Sequence, residues 1–291
     1  MILNLILKEK WRMPVSKGSR KRFSHFSLEG RSAIVTGGCG ILGRVFCEHL
    51  AEAGAHVAVV DLNASQVASD AKRLQKKYGV KALGVVCDVS SPPSVRSMVQ
   101  QVVKAFGSIE ILLNNAASKS KNLSAFFKSF EDYSLEEWRS VMSVNVDGMF
   151  LVAQAVGKQM LRQKRSGSII QTGSIYGILA PDHRIYQGSR YKGRAISSPA
   201  VYSASKGAVG ALTQYLAAYW ADKGIRVNTL VPGGVQSGQN RTFVKRYSER
   251  VPMKRMARAE ELAGAVIYLA SDRSSYVTGQ TLVVDGGLSI W

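Results

Sequence analysis

The sequence predicts a single doubly wound α/β domain, a seven-stranded parallel sheet with helices on both faces. Two observations predict it. From Ser32 onward, short apolar runs alternate with longer segments whose apolar residues recur three and four apart, the pattern of strand-helix-strand crossovers. No repeat or linker divides the chain, and 291 residues, 46% hydrophobic and 20% charged, can bury one large core.

The strands are expected at 32–36, 56–61, 82–88, 109–114, 168–172, 226–231 and 282–285, each running into small or polar residues that open a loop. Between them, 41–53, 65–78, 94–106, 135–160, 200–223 and 259–271 have the apolar period of sheet-covering helices. Two connections are long: 118–133 after the fourth strand, and 175–199 before the fifth large helix. Long loops at the carboxyl ends of strands are where such sheets hold ligands.

Residues 1–26 read as a flexible basic tail, with Lys8, Lys10, Arg12, Lys17, Arg20, Lys21 and Arg22 set against Glu9. Met13 is an alternative start. The apolar run Ile2 to Leu7 is shorter than a membrane span or a secretory signal, so the chain is expected in the cytoplasm. Cys39, Cys47 and Cys87 form no framework, and no Cys/His cluster offers a metal tetrahedron, so no metal is expected. A net charge of +19 admits nucleic acid, an anionic membrane face or a phosphorylated substrate as partners, without choosing among them.

The segment Thr36-Gly37-Gly38-Cys39-Gly40-Ile41-Leu42-Gly43 passes from a strand into a helix. Glycines allow a tight turn and close approach of backbone to a pyrophosphate, whose charge then sits on a helix N-terminus. The next strand ends in Asp61, 24 positions after Gly37, near the offset at which a carboxylate meets an adenosine ribose. Asp61 would repel a 2′-phosphate, and neither Gly38 nor Cys39 supplies an offsetting cation. NAD is therefore expected over NADP, with Arg44 the residue that blurs the choice. By itself, Asp61 would equally cap the following helix. Cys87-Asp88-Val89 and Asn114-Asn115-Ala116 end the third and fourth strands on the same sheet edge.

Tyr202-Ser-Ala-Ser-Lys206 stands at the head of a predicted helix, behind a capping Ser198 and a first-turn Pro199. Four residues of separation put phenol and ammonium on one face. The ammonium is expected to lower the phenol's pKa toward working pH, so that Tyr202 exchanges a proton while hydride moves to or from a nicotinamide.

In these motifs, residues 28–291 resemble the classical short-chain dehydrogenase/reductase family. The resemblance implies a Rossmann-type fold and assigns the catalytic set Asn145, Ser174, Tyr202 and Lys206: Ser174, in Ile170-Gln-Thr-Gly-Ser174, polarises the substrate oxygen, and Asn145 holds a water on the relay from Lys206. It implies a cofactor-lining set of Gly37, Cys39, Gly40, Ile41, Leu42, Gly43, Asp61, Leu62, Asp88, Val89, Asn115, Ala116, Ala117, Tyr202, Lys206, Pro232, Gly233 and Val235. The domain then runs from 27 to 291, with a substrate-side insertion at 175–199 and a substrate lid at 234–258. A homodimer or homotetramer is implied, paired through the long helices at 147–160 and 200–223. The faces of Val209, Leu212 and Leu216 suit that pairing and suit this chain's own sheet equally.

Two departures bear on substrate. The spacing Thr-Gly-x-x-Gly-x-x-Gly is similar to the family's nucleotide-sugar epimerases and dehydratases, although Val283-Val-Asp285-Gly-Gly287 closes the chain without room for a sugar domain. Ser174 and Tyr202 are 28 positions apart, which lengthens the loop between them. Together with Gly233-Gly-Val-Gln-Ser-Gly-Gln-Asn240 and Val251-Pro-Met-Lys-Arg-Met256, that loop resembles oxidoreductases of bacterial surface-glycan and flagellin modification, including the legionaminic-acid type. The substrate this implies is an anionic sugar or amino sugar, phosphorylated or nucleotide-linked. Arg190, Lys192 and Arg194 at a substrate mouth would suit a phosphate; a merely solvated basic loop reads the same way. Expected substrate contacts are Ser174, Tyr176, Arg184, Tyr186, Arg190, Tyr202 and Gln239, with 240–249 a mobile helix closing over them.

The leading expectation is an NAD-dependent oxidoreductase interconverting a secondary alcohol and a ketone. Its rivals are an epimerase or dehydratase that uses NAD transiently, and a nucleotide- or nucleic-acid-binding protein without catalysis. The full set Ser174, Tyr202 and Lys206 argues against the last.

Overall fold

The computed structural model describes residues 26–291 other than 121 and 192; the basic tail before Phe26, Met13 and Lys192 lie outside the described residues. Seven strands, β1 (Ser32–Thr36), β2 (His56–Asp61), β3 (Ala82–Val86), β4 (Ile111–Asn114), β5 (Gly167–Thr172), β8 (Ile225–Pro232) and β9 (Thr281–Val284), form one parallel sheet in the order β3-β2-β1-β4-β5-β8-β9. The chain winds outward from β1 on one side and from β4 on the other. Crossovers therefore diverge between the carboxyl ends of β1 and β4 and leave a crevice there.

Alternate side chains of each strand go to opposite layers, as the two-residue period of a strand requires. Ala33 and Val35 of β1 pack with Phe46, Leu50, Val57, Val59, Leu74 and Leu269. Ile34 packs on the other face with Ala58, Val60, Met98, Leu112, Val152, Val156 and Trp220. The first layer holds α1 (Ile41–Glu52), α2 (Ala64–Tyr78) and α9 (Ala263–Ala270); the second holds α3 (Pro92–Phe106), α6 (Met149–Gln163) and α7 (Ala200–Trp220). Val209 and Leu216 are buried, and Leu216 lies in this second layer, so these two residues serve the chain's own core.

Most helices begin on a side-chain cap. Asn63 accepts from Gln66 N–H at the head of α2, and Ser91, followed by Pro92, caps α3. α1 differs: it starts at Gly40, which has no side chain to accept from the first turn. α7 also begins without a side-chain cap, at Pro199, so Ser198 does not play the capping role expected of it.

The helix expected at 135–160 forms from 135 to 163, with an interruption the sequence does not announce. α5 (Leu135–Met142) runs into a π-helical turn, Ser143–Gly148, and then α6. This helix is long and apolar enough to cross a membrane, yet Met149, Val152, Ala153, Val156 and Met160 are buried inside the protein. Two further elements are unannounced: a short helix α4 (Leu123–Phe126), and a hairpin of β6 (Arg190–Tyr191) with β7 (Arg194–Ala195) inside the insertion. α8 (Arg241–Arg250) occupies the expected lid position, its N-terminus capped by Asn240.

Candidate active site

The crevice at the β1/β4 divergence is a cleft of about 470 Å³. Its floor is the glycine turn. Gly37 has φ +63°, and a side chain at Gly43 would stand 2.0 Å from the Gly37 carbonyl oxygen, so only glycine lets α1 start so close to the turn. Thr36 Oγ1 accepts from the N–H groups of Asn115 (2.9 Å) and Ala116 (3.0 Å), which binds the ends of β1 and β4 together beneath the cleft. Asp61 accepts from Cys39 N–H at 3.1 Å and from Leu62 N–H at 2.8 Å. It fixes the turn and lines the cleft, while Asn63 caps α2. Arg44 bonds Asp70 through Nε at 3.2 Å.

The residues expected to be catalytic converge where β5, α7 and the π-turn meet. A π-turn inserts an extra residue into a helix, and such turns recur at functional sites. This one carries Asn145, which is fully buried. Its Oδ1 accepts from Ser118 N–H at 2.8 Å, and its Nδ2 donates to Ser205 Oγ at 3.1 Å, tying the loop after β4 to α7. Lys206 donates from Nζ to the Thr172 carbonyl at 2.8 Å, using one of the ammonium's three donors. Gly177 lets the segment after Ser174 lie against the Lys206 backbone, because a side chain there would come within 2.6 Å of it.

Protonation departs from expectation. Burial raises the Tyr202 pKa, and the Ser174 hydroxyl facing it pulls the other way. Burial also lowers Lys206 to about 8. The expected lowering of the phenol by the ammonium is not found, because loss of water around a buried phenolate outweighs it and Lys206 points its ammonium at a carbonyl. A nicotinamide ring, when bound, brings a positive charge and accepts or returns the hydride.

A second cleft of about 290 Å³ shares Ser174, Tyr202, Lys119, Gly233, Val235 and Ser237 with the first. The insertion contributes Tyr186 and Ile196 to its wall, α8 contributes Phe243 and Tyr247, and α4 with the following residue contributes Phe126 and Phe127. Tyr247 Oη accepts from Gly234 N–H at 2.5 Å, and Gln239 donates to the Val235 carbonyl at 2.8 Å.

Of the expected cofactor residues, Gly37, Gly40, Ile41, Leu42, Gly43, Asp61, Asn115, Ala117, Tyr202, Lys206, Pro232, Gly233 and Val235 line the first cleft. Cys39, Leu62, Asp88, Val89 and Ala116 do not. The Asp88 carboxylate instead accepts from Ser90 N–H (2.9 Å) and its hydroxyl (2.6 Å). Of the expected substrate contacts, Ser174, Tyr176, Tyr186, Tyr202 and Gln239 line the second cleft. Arg184 and Arg190 are off its wall. Arg184 folds onto Asp182 with two bonds of 2.9 Å, and Arg190 closes its own hairpin on the Gly193 carbonyl at 3.0 Å. Sequence reasoning missed Ser118, Lys119, Thr172, Gly173 and Ser237; for Ser118 and Lys119 the clue was the long loop directly after Asn115-Ala116-Ala117.

A nucleotide-sized cleft at the switch point of a parallel sheet, with Ser174, Tyr202 and Lys206 at its mouth, defines an NAD(P)-dependent dehydrogenase acting on CH–OH groups. The chain belongs to the short-chain dehydrogenase/reductase family: residues 40–289 match the family described as enoyl-(acyl carrier protein) reductase. Among its relatives, a glucose 1-dehydrogenase of Gluconobacter oxydans is 33% identical over 90% of this chain and 93% of its own. A ribulose-forming D-arabinitol 2-dehydrogenase of Scheffersomyces stipitis is 34% identical over 92% and 96%. The crystal structure of a gluconate 5-dehydrogenase from Burkholderia cenocepacia, in complex with NADP and tartrate, is 35% identical and superimposes with a TM-score of 0.80 over 92% of this chain and 98% of that one.

Proposed function

We propose that the protein interconverts a secondary alcohol and a ketone on a sugar or sugar derivative, using NAD in preference to NADP. The observation that carries this reading is that Ser174 and Tyr202 stand where the two clefts meet, so one substrate oxygen can face both hydroxyls beside a nicotinamide. In the oxidation direction Ser174 holds the substrate hydroxyl and Tyr202 takes its proton. Lys206 and Asn145 pass that proton outward through water, and Lys206 also holds the nicotinamide ribose. The sugar substrate is supported by the relatives' activities.

Support for NAD comes from the Asp61 carboxylate on the cleft wall and from Arg44, held by Asp70 rather than left to neutralise it. The gluconate 5-dehydrogenase neighbour holds NADP, and the preference read here rests on Asp61 and Arg44 of the present chain alone. A phosphorylated or nucleotide-linked sugar, as in surface-glycan biosynthesis, is the rival substrate, and it rests on the motif resemblance alone. The exposed Phe150, Tyr215 and Tyr219 of α6 and α7 support a homodimer or homotetramer. Cytoplasmic location is part of the same reading.

The test is NADH formation from NAD across sugars, sugar alcohols, sugar phosphates and nucleotide-linked amino sugars, with Tyr202→Phe alongside. Turnover abolished by Tyr202→Phe is the expected result. Substrate conversion without net NADH would favour the epimerase or dehydratase that the glycine spacing resembles.

A further inference from the structure

We propose that Tyr186, carried into the pocket by the 175–199 insertion, reads a substrate hydroxyl beyond the reacting carbon, so that the substrate is one sugar or sugar alcohol without a nucleotide. The inference rests on the dehydrogenase reading above and concerns the same pocket.

Size comes first. The substrate cleft, at about 290 Å³, lies at the small end of ligand pockets, which run from about 300 to 1,000 Å³. The adjoining cleft carries the glycine turn and Asp61 and is taken by the cofactor. A sugar fits the smaller space, and a second nucleotide does not.

Charge points the same way. A diphosphate calls for arginines, which bind its oxygens in pairs. Arg184 and Arg190 are occupied elsewhere, and among the described residues Lys119, at the junction of the two clefts, is the single cation on this wall.

The wall is instead built of phenols. Tyr176, Tyr186 and Tyr247 line the substrate cleft and not the cofactor cleft, so they lie beyond the reacting oxygen held by Ser174 and Tyr202. Burial raises the pKa of all three, which leaves them neutral, each able to donate and accept. That is the complement of a row of alcohols. Tyr247 accepts from Gly234 N–H. Tyr186 is held by its ring against Phe243, centroids 5.4 Å apart, and shares the cleft wall with Tyr176 and Ser198. A neutral phenol on that wall can donate its proton to a substrate oxygen or accept one from it, and the insertion places Tyr186 there. Phe126, Phe127 and Phe243 supply apolar faces for the sugar's C–H groups.

The test compares wild type and Tyr186→Phe on sorbitol, arabinitol and threitol, with cyclohexanol as a secondary alcohol lacking any further hydroxyl. The phenyl ring keeps its packing on Phe243, and equal melting temperatures confirm a folded variant. The expected result is that kcat/KM for the best polyol falls about tenfold relative to kcat/KM for cyclohexanol, carried by KM. Weaker quenching of bound NADH fluorescence by that polyol reports the same loss without turnover. An unchanged ratio overturns the proposal, as does a wild-type preference for a nucleotide-linked sugar. Turnover of cyclohexanol with no polyol overturns it while leaving the dehydrogenase reading in place. No turnover of any alcohol by NAD-bound enzyme overturns both.

Discussion

The two halves of the active site are held by different kinds of force. The cofactor half is fixed by backbone: the Gly37–Gly43 approach, the Thr36 hydroxyl beneath β1 and β4, and the buried strands behind them. The substrate half packs on a smaller buried cluster of Ile175, Ile185, Phe243, Tyr247, Val251 and Met256 and is tied together outside it by surface side chains. Asp182 pairs with Arg184 and Arg250, Arg246 donates to the carbonyls of Arg184 and Gln187, and Asn240 donates to the Arg190 carbonyl. Exposed pairs of this kind contribute about 0–1 kcal/mol each. The half that manages hydride is thus rigid, and the outer ties of the half that selects what is oxidised can be changed cheaply.

Substitutions sharpen that contrast. Tyr202→Phe should lower kcat by about a thousandfold while NADH binding, followed by fluorescence, stays intact. Comparable loss of both would mean that the two halves are not separable.

Lys206→Met tests the cost of placing charge in the rigid half. The folded pKa of Lys206, about 8, lies below its ordinary 10.5. The penalty for burying the ammonium is therefore full below pH 8 and is relieved as pH rises toward 10.5. Wild type should gain up to roughly 3 kcal/mol relative to Lys206→Met across that window, read from denaturant midpoints. A flat difference would show that Lys206 keeps an ordinary affinity for its proton.

Gly43→Ala should weaken NADH binding by about ten- to a hundredfold, because the helix must retreat from the turn to admit a methyl group. Asp182→Asn should do least: a KM change of about threefold or less and a denaturation midpoint close to wild type. A large loss there would make the insertion a structural keystone and erase the contrast.

Most of the cofactor half was legible in the sequence because its chemistry is local. A strand, three glycines and Asp61 follow one another along one strand-helix-strand unit, β1-α1-β2. The placing of Tyr202 and Lys206 on one cleft wall was legible for a similar reason, since they are four residues apart on one helix. The π-turn was not, because an extra residue in a helix leaves the apolar period on either side almost undisturbed. The substrate half was misread where charge was taken as direction. Arg184 and Arg190 sit beside the pocket in sequence, but Asp182 and the Gly193 carbonyl, two and three residues away, capture them first. Long side chains on a tight loop meet their neighbours before they meet a ligand.

The bare start of α1 links metabolism to folding. Where α2 and α3 begin on an Asn or Ser oxygen of the chain, this one leaves its first N–H groups open to the pyrophosphate of a dinucleotide, which when bound would complete the secondary structure as well as the reaction. A ligand held only by the native state adds about 2.7 kcal/mol of stability when present at a hundred times its dissociation constant. The amount of enzyme surviving proteolysis would then rise and fall with the cell's nicotinamide pool, making abundance a record of redox supply.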